Sequence, residues 1–210
     1  MKIFRVCRRP SLQPAAARFI SRAGSIGTGL ALKAMATEQV VDEVFNRPLP
    51  IPVQFTTRFG PAGLLRNVFY TSEKPSTTFY EFGFHLLSDR SLIGKTIAVA
   101  LHELELISTT KPVQVGGQAN HALLLDRCDY SHAHAWIKSL SLASLDTISY
   151  PNVREGSAGG GTNYAIYLRG SVAASGKAAS LYAMTAHGDE TVVCQNSDTS
   201  ATEIIKPIMR

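Results

Sequence analysis

Cysteine is scarce in this chain of 210 residues, and the three present, Cys7, Cys128 and Cys194, lie far apart with no C-x-x-C among them. An odd number at such spacing makes neither a disulfide framework nor a structural zinc site, and a reducing compartment is the simplest reading. Long apolar runs are missing as well. No stretch approaches the roughly 18 residues that a membrane-spanning helix needs, so no membrane association is expected. The familiar catalytic signatures are absent: there is no G-x-S-x-G elbow, no G-x-x-x-x-G-K-[ST] loop and no H-E-x-x-H helix. The SAGGGT run at 157–162 lacks the lysine of a phosphate loop and leads into a strand pattern, so it reads as a hairpin loop. His132 and His134 stand two apart and would point to different sides of a helix, so no shared metal is expected.

Acid is missing from residues 1–34, which carry seven basic side chains: Lys2, Arg5, Arg8, Arg9, Arg18, Arg22 and Lys33. The remainder holds 14 basic against 16 acidic residues, so the net charge of +5 belongs to this segment. Direct nucleic-acid binding by the body of the protein is therefore not expected. The composition of 1–34 matches a mitochondrial-type transit peptide, or a basic, disordered extension ahead of Met35. In either case the expectation is that it lies outside the fold.

What is present is a globular composition, with 45% hydrophobic and 18% charged residues. Thr37–Phe45 predicts a short helix, and the prolines of RPLPIPVQF enforce extended chain after it. NVFYTS predicts a strand, and about Ser76 to Leu87 a helix with Ser76 as its N-cap. KTIAVALHELELIS reads as a strand whose alternation changes near His102–Glu103, as at a bulge or a break. Residues 109–122 read as loop, and a helix is expected from about Tyr130 to Leu145 with Asp129 capping it. Strands follow at TISYPNVRE, NYAIYLRG, SLYAMTA and TVVCQ, ahead of a polar C-terminus. The mixture suggests α+β.

One residue is out of keeping with its surroundings. The helix after Pro75 is apolar nearly all round, yet Glu81 sits among Phe79, Tyr80, Phe82 and Phe84. A carboxylate in such a helix is unfavourable unless it is paired or used, and His85 one turn on is one possible partner. The other candidates are Arg58 in its Gly/Pro loop, Tyr70 at a strand end, and Asn152 and Arg154 in a turn. Each has an ordinary reading as a loop cation, a strand-end ring or a solvated turn. Together they would suit a ligand with phosphates and a flat heterocycle: arginines fork to phosphate oxygens, and a tyrosine ring stacks on a base.

RFGPAG…VFYTSEKPSTTFYE, DYSHAHAWIKSL and ISYPNVRE…GTNYAIYL, in that order, resemble the RES-domain family over about residues 45–172. Its members show a G-R-F/W loop, an "lYla" strand, an acid in the following helix, and a late Y-P-S-x-R-d segment before an N-x-a-l strand. The resemblance implies a bacterial, cytoplasmic, toxin-like enzyme with a RES-like catalytic domain at 35–210. Its fold would be similar to ADP-ribosyltransferases, with mixed, largely antiparallel sheets and a few flanking helices. It would act on NAD as substrate, with no further cofactor and no metal, by hydrolysis or phosphorolysis of the nicotinamide–ribose bond. Transfer of ADP-ribose to a protein is the alternative, and a helix-turn-helix antitoxin is the implied partner. Glu81, Tyr70 and Arg58 match the family's catalytic positions, with Arg58 on the NAD phosphates and Tyr70 near nicotinamide. Arg154 and, more loosely, Arg47 match further substrate-binding arginines. Asn152 falls where the family has serine. That departure leaves open an impaired module that binds NAD or a partner without turnover.

Overall fold

In chain order, the computed structural model runs β1 (Lys2–Arg8), β2 (Leu12–Ile20), β3 (Ile26–Ala34), α1 (Thr37–Phe45), β4 (Phe69–Ser72), α2 (Pro75–Ser88), β5 (Thr96–Leu106), β6 (Val113–Gln114), α3 (His121–Leu124), α4 (Ser131–Ser139), β7 (Thr147–Pro151), β8 (Thr162–Ile166), β9 (Val172–Ala174), β10 (Ser180–Ala186), β11 (Val192–Asn196) and β12 (Thr202–Ile205). The structure describes residues 1–8, 12–20, 26–34, 36–49, 57–64, 66–108, 110–126, 129–141, 144–155 and 160–209. One large sheet has the strand order β12-β11-β10-β5-β1-β4-β8-β7-β6, with β9 also on β5. Its ladders are antiparallel except for the parallel pair β6–β7. β2 and β3 pair with each other as a separate two-stranded sheet. The class is α+β.

The centre of the large sheet explains how the sequence was misread there. β5 is one continuous strand, with no break at His102–Glu103, and Val99 to His102 are buried in succession. Four consecutive buried residues mean that both faces of the strand are covered, which erases alternation. On one face, Ile3, Phe69, Leu104 and Ile166 pack with Val41 and Val44 of α1. On the other, Val6, Val99, Leu101 and Met184 pack with Phe79, Leu86 and Leu87 of α2. A third cluster gathers Ala133 and Ile137 of α4 with Phe59, Ile148 and Ala165.

β1 corrects the placement of residues 1–34 outside the fold. Lys2–Arg8 is an inner strand, laddered to β5 from Lys2↔Glu105 to Arg8↔Val99 and meeting β4 at Phe4↔Ser72. Its apolar residues, Ile3, Phe4 and Val6, alternate between two cores, so the basic composition around them was a poor guide to burial. Smaller differences follow local chemistry. α2 begins with Pro75 at its first position and Lys74 as N-cap, because proline needs no hydrogen-bond acceptor there. α4 stops at Ser139, short of Leu145. The expected loop at 109–122 holds β6 and the start of α3, and the polar C-terminus supplies β12. Most of the proline-rich run (50–55), and 157–159 of the SAGGGT run, lie outside the described residues. Among the described residues no helix is long and apolar enough to cross a membrane.

Candidate active site

β1 and β4 meet at Phe4↔Ser72, and a cleft of about 500 Å³ lies beside that meeting point. Arg5, Val6 and Cys7 of β1, Tyr70 to Ser72 of β4, α1 and α2 all contribute to its walls. α2 supplies the chemistry. Its core side holds Phe79, Leu86 and Leu87, and Gly83 lets the C-terminal segment approach closely: a Cβ there would lie 3.0 Å from Ile205 Cδ1 and 3.3 Å from Pro207 Cγ. Glu81, Phe84 and His85 line the cleft.

The Glu81 carboxylate is held from the sheet rather than from its own helix. Asn163 Nδ2 on β8 donates to Glu81 Oε1 at 2.8 Å, while Asn163 Oδ1 accepts from Ser72 Oγ at 2.7 Å. Burial raises the Glu81 pKa above the ordinary carboxylate range, and Arg58, Arg154 and the Asn163 hydrogen bond pull it back in part. The carboxylate is thus partnered but still desolvated. His85 lines the same wall; burial, with the charge of Arg154, lowers its pKa.

Arg58 projects from the turn Thr57–Gly60, which is closed by reciprocal backbone hydrogen bonds of 3.1 Å. Tyr70 pins this turn: its hydroxyl accepts from Phe59 N at 3.1 Å and shares a 2.6 Å hydrogen bond with Thr57 Oγ1. Arg58 is 8% exposed; its Nη2 donates to Asp126 O at 3.0 Å, and its guanidinium lies 5.3 Å from the Tyr130 ring. Its Nε is sealed without a partner among the described residues. Arg154, 2% exposed, stacks on Phe84 at 3.4 Å, and its Nη1 donates to Ile208 O at 3.4 Å. It lines the cleft from within the protein, where its charge acts on Glu81.

Of the residues singled out from sequence, Arg58, Tyr70, Glu81, Arg154 and the exposed Arg47 all line this one cleft. Asn152 is not among the lining residues. Its Nδ2 donates to Thr77 O at 3.1 Å and its Oδ1 accepts from Arg154 N at 2.7 Å, so the amide ties the β7 end to α2. Tyr130, not Asp129, is the N-cap of α4; Asp129, one residue ahead of it, accepts from Ser131 N and Ser131 Oγ at 2.8 and 2.9 Å. His134 Nε2 lies 2.8 Å from Thr57 O, bracing the Arg58 turn. Among the described residues no group of three or more His, Cys, Asp or Glu could hold a metal ion.

Arg5, Asn163 and Tyr150 are among the lining residues that the sequence reading left without a role. Arg5 was set aside with the basic segment, yet its Nη1 donates to Tyr70 O at 2.7 Å and its guanidinium lies 4.5 Å over Phe69. Asn163 stood in the quoted GTNYAIYL strand without a role, and Tyr150 opened the YPNVR segment without one. Strand pairing was the signal that could have found Asn163, since Ser72↔Asn163 is the last register pair of β4 and β8. No curated protein matches the chain significantly. The family model described as the RES domain matches residues 43–186, more than half of the chain, and the protein therefore belongs to the RES-domain family.

Proposed function

We propose that the cleft binds NAD as a substrate and cleaves its nicotinamide–ribose bond, with Glu81 stabilising the charge that develops on the ribose. RES domains occur in toxin–antitoxin systems that act on NAD, and membership of that family supports NAD as the substrate class. The observation that carries the reading is Glu81 itself: a desolvated carboxylate in a cleft, fixed by Asn163 and within electrostatic reach of two arginines.

The C1′–N bond breaks with its electron pair going to nicotinamide, which leaves as a neutral heterocycle. The ribose becomes oxocarbenium-like, and a fixed carboxylate beside it favours that cation over the ground state. The positive pyridinium of the incoming substrate also favours ionised Glu81, offsetting the effect of burial. Water adding at C1′ gives ADP-ribose and releases one proton; phosphate adding there gives the 1-phosphate ester instead. Arg5, Arg47 and Arg58 supply the cationic wall for the pyrophosphate, and Arg154 acts mainly through Glu81. NAD is consumed in this reading, and a helix-turn-helix antitoxin is the partner class that would cover the cleft.

The test is incubation of the purified protein with NAD labelled in its adenylate part, with and without phosphate. Nicotinamide release is expected, with free ADP-ribose or a phosphate-dependent ester as co-product. Label retained on protein would assign ADP-ribosyl transfer instead. No release of nicotinamide under any of these conditions would overturn the proposal.

A further inference from the structure

Three tyrosines line the cleft. Tyr130 lies on the Arg58 side, its ring 5.3 Å from that guanidinium, and the hydroxyls of the other two are in opposite states. Tyr70 is fully engaged with Thr57 Oγ1 and Phe59 N, and burial pushes its pKa up to about 12. It is a strut for the turn that carries Arg58. Tyr150 is only 7% exposed, with its ring edge-on to Phe59 at 4.8 Å and 6.0 Å from the Arg58 guanidinium. Its hydroxyl makes no hydrogen bond to any described residue. Nor is that oxygen sealed in the way that Thr71 Oγ1 is, so its open side is the cleft that the ring lines.

We infer that Tyr150, not Tyr70, is the phenol that hydrogen-bonds the substrate beside Glu81. Built on the NAD reading, the acceptor is an oxygen of the nicotinamide–ribose half: a ribose hydroxyl or the carboxamide carbonyl. A buried phenol does best when a partner takes its proton, and no group among the described residues does so here. Burial, with the nearby Glu81 carboxylate adding to it, keeps the Tyr150 proton on well above the ordinary tyrosine range. The group is therefore a standing donor at neutral pH. Ring packing against Phe59 fixes its direction in advance, which is what positioning a substrate oxygen requires.

Tyr150→Phe separates this role from a structural one, because it removes a hydroxyl that no described residue uses. The expected result is an unchanged melting temperature without ligand, a smaller rise in melting temperature on adding NAD, and a kcat/KM for NAD lower by about tenfold or more. Tyr70→Phe is expected to lower the ligand-free melting temperature, since it leaves Phe59 N without its acceptor. Wild-type kcat/KM in Tyr150→Phe would overturn the inference while leaving the NAD reading intact. A lower ligand-free melting temperature in Tyr150→Phe would also overturn it, by showing a structural role. If the wild-type protein neither consumes NAD nor is stabilised by it, the NAD reading falls and this assignment falls with it.

Discussion

Asn163 points its amide nitrogen at Glu81 because Ser72 holds the other end of the amide. The Ser72 hydroxyl donates to Asn163 Oδ1 at 2.7 Å, which leaves Nδ2 to donate to Glu81 Oε1 at 2.8 Å. The orientation of the amide is thus set by its partners, and β4, β8 and α2 are joined at the carboxylate. Asn163→Asp keeps the shape, removes the donor and places a second carboxylate against the first. Like charges at this distance raise the Glu81 pKa further. NAD cleavage should fall by at least about tenfold at pH 7, with the acid limb of the pH–rate profile moved to higher pH. Unchanged kinetics and an unmoved limb would show that the Asn163 hydrogen bond does not tune the site.

Glu81→Gln should separate activity from stability. Burial raises the Glu81 pKa in the folded state, so the folded protein binds this proton at a pH where the unfolded chain, near 4.5, has lost it. Stability therefore decreases as pH rises through the folded pKa, and the penalty of the buried charge is carried wherever the carboxylate is ionised. The neutral glutamine has no such penalty. The variant should be at least as stable as wild type at pH 7, with its advantage shrinking as pH falls toward 4.5. NAD cleavage should drop by about a hundredfold or more, because the charge opposing the oxocarbenium is gone. Melting curves across pH and an NAD-loss assay on one preparation measure both effects.

Glu81 was readable from sequence for a reason that does not extend to Asn163 or Arg5. A carboxylate inside an apolar helix contradicts its surroundings, and that local contradiction is visible without any tertiary information. Asn163 contradicts nothing in a strand; it becomes a site residue only because β4 and β8 pair in a register that puts it opposite Ser72. Arg5 was worse placed still, in a segment whose acid-free composition suggested exclusion from the fold. Its pairing with His102 across β1 and β5 depends on partners about a hundred residues away. The sheet was legible in part for the same reason. Strands with one covered face alternate, whereas β5 loses alternation where α1 and α2 cover both faces.

His102 should make the fold sensitive to mild acid. Its imidazole is fully buried, with Nδ1 3.1 Å from Thr37 Oγ1 and Nε2 without a partner among the described residues. Burial, helped by Arg5 on the neighbouring strand, pushes its pKa down to about 4 from 6.5. Between these values the unfolded chain takes up a proton that the folded protein refuses. Stability contributed by neutral His102 is therefore whole above pH 6.5 and lost as pH falls toward 4, by about 3 kcal/mol in total. Glu81 works in the opposite direction over part of this range, so Glu81→Gln is the background in which to measure it. Urea midpoints between pH 7 and 4 should fall, and the His102 ring signals should not titrate near pH 6.5.

Asn152 is the position where the sequence departs from the family's serine, and its geometry bears on what that departure does. The amide spans two groups that a serine hydroxyl cannot reach together: Thr77 O in the first turn of α2, at 3.1 Å, and Arg154 N, at 2.7 Å. Around it, Asn152 N donates to Gly161 O at 2.9 Å, and Thr77 Oγ1 and Gly161 N both donate to Glu155 Oε2 at 3.0 Å. Gly161 is held so close to Thr77 that a Cβ on it would lie 2.1 Å from Thr77 Oγ1. The knot fixes the start of the helix whose next turn carries Glu81, and it does so from outside the cleft lining. Asn152→Ser should therefore not raise NAD cleavage. It keeps an acceptor for Arg154 N but loses the amide's additional hydrogen bond to Thr77 O, with a loss of about 1 kcal/mol in stability. A several-fold gain in kcat for Asn152→Ser would mean that position 152 reaches the substrate, contrary to the hydrogen bonds that now occupy both ends of its side chain.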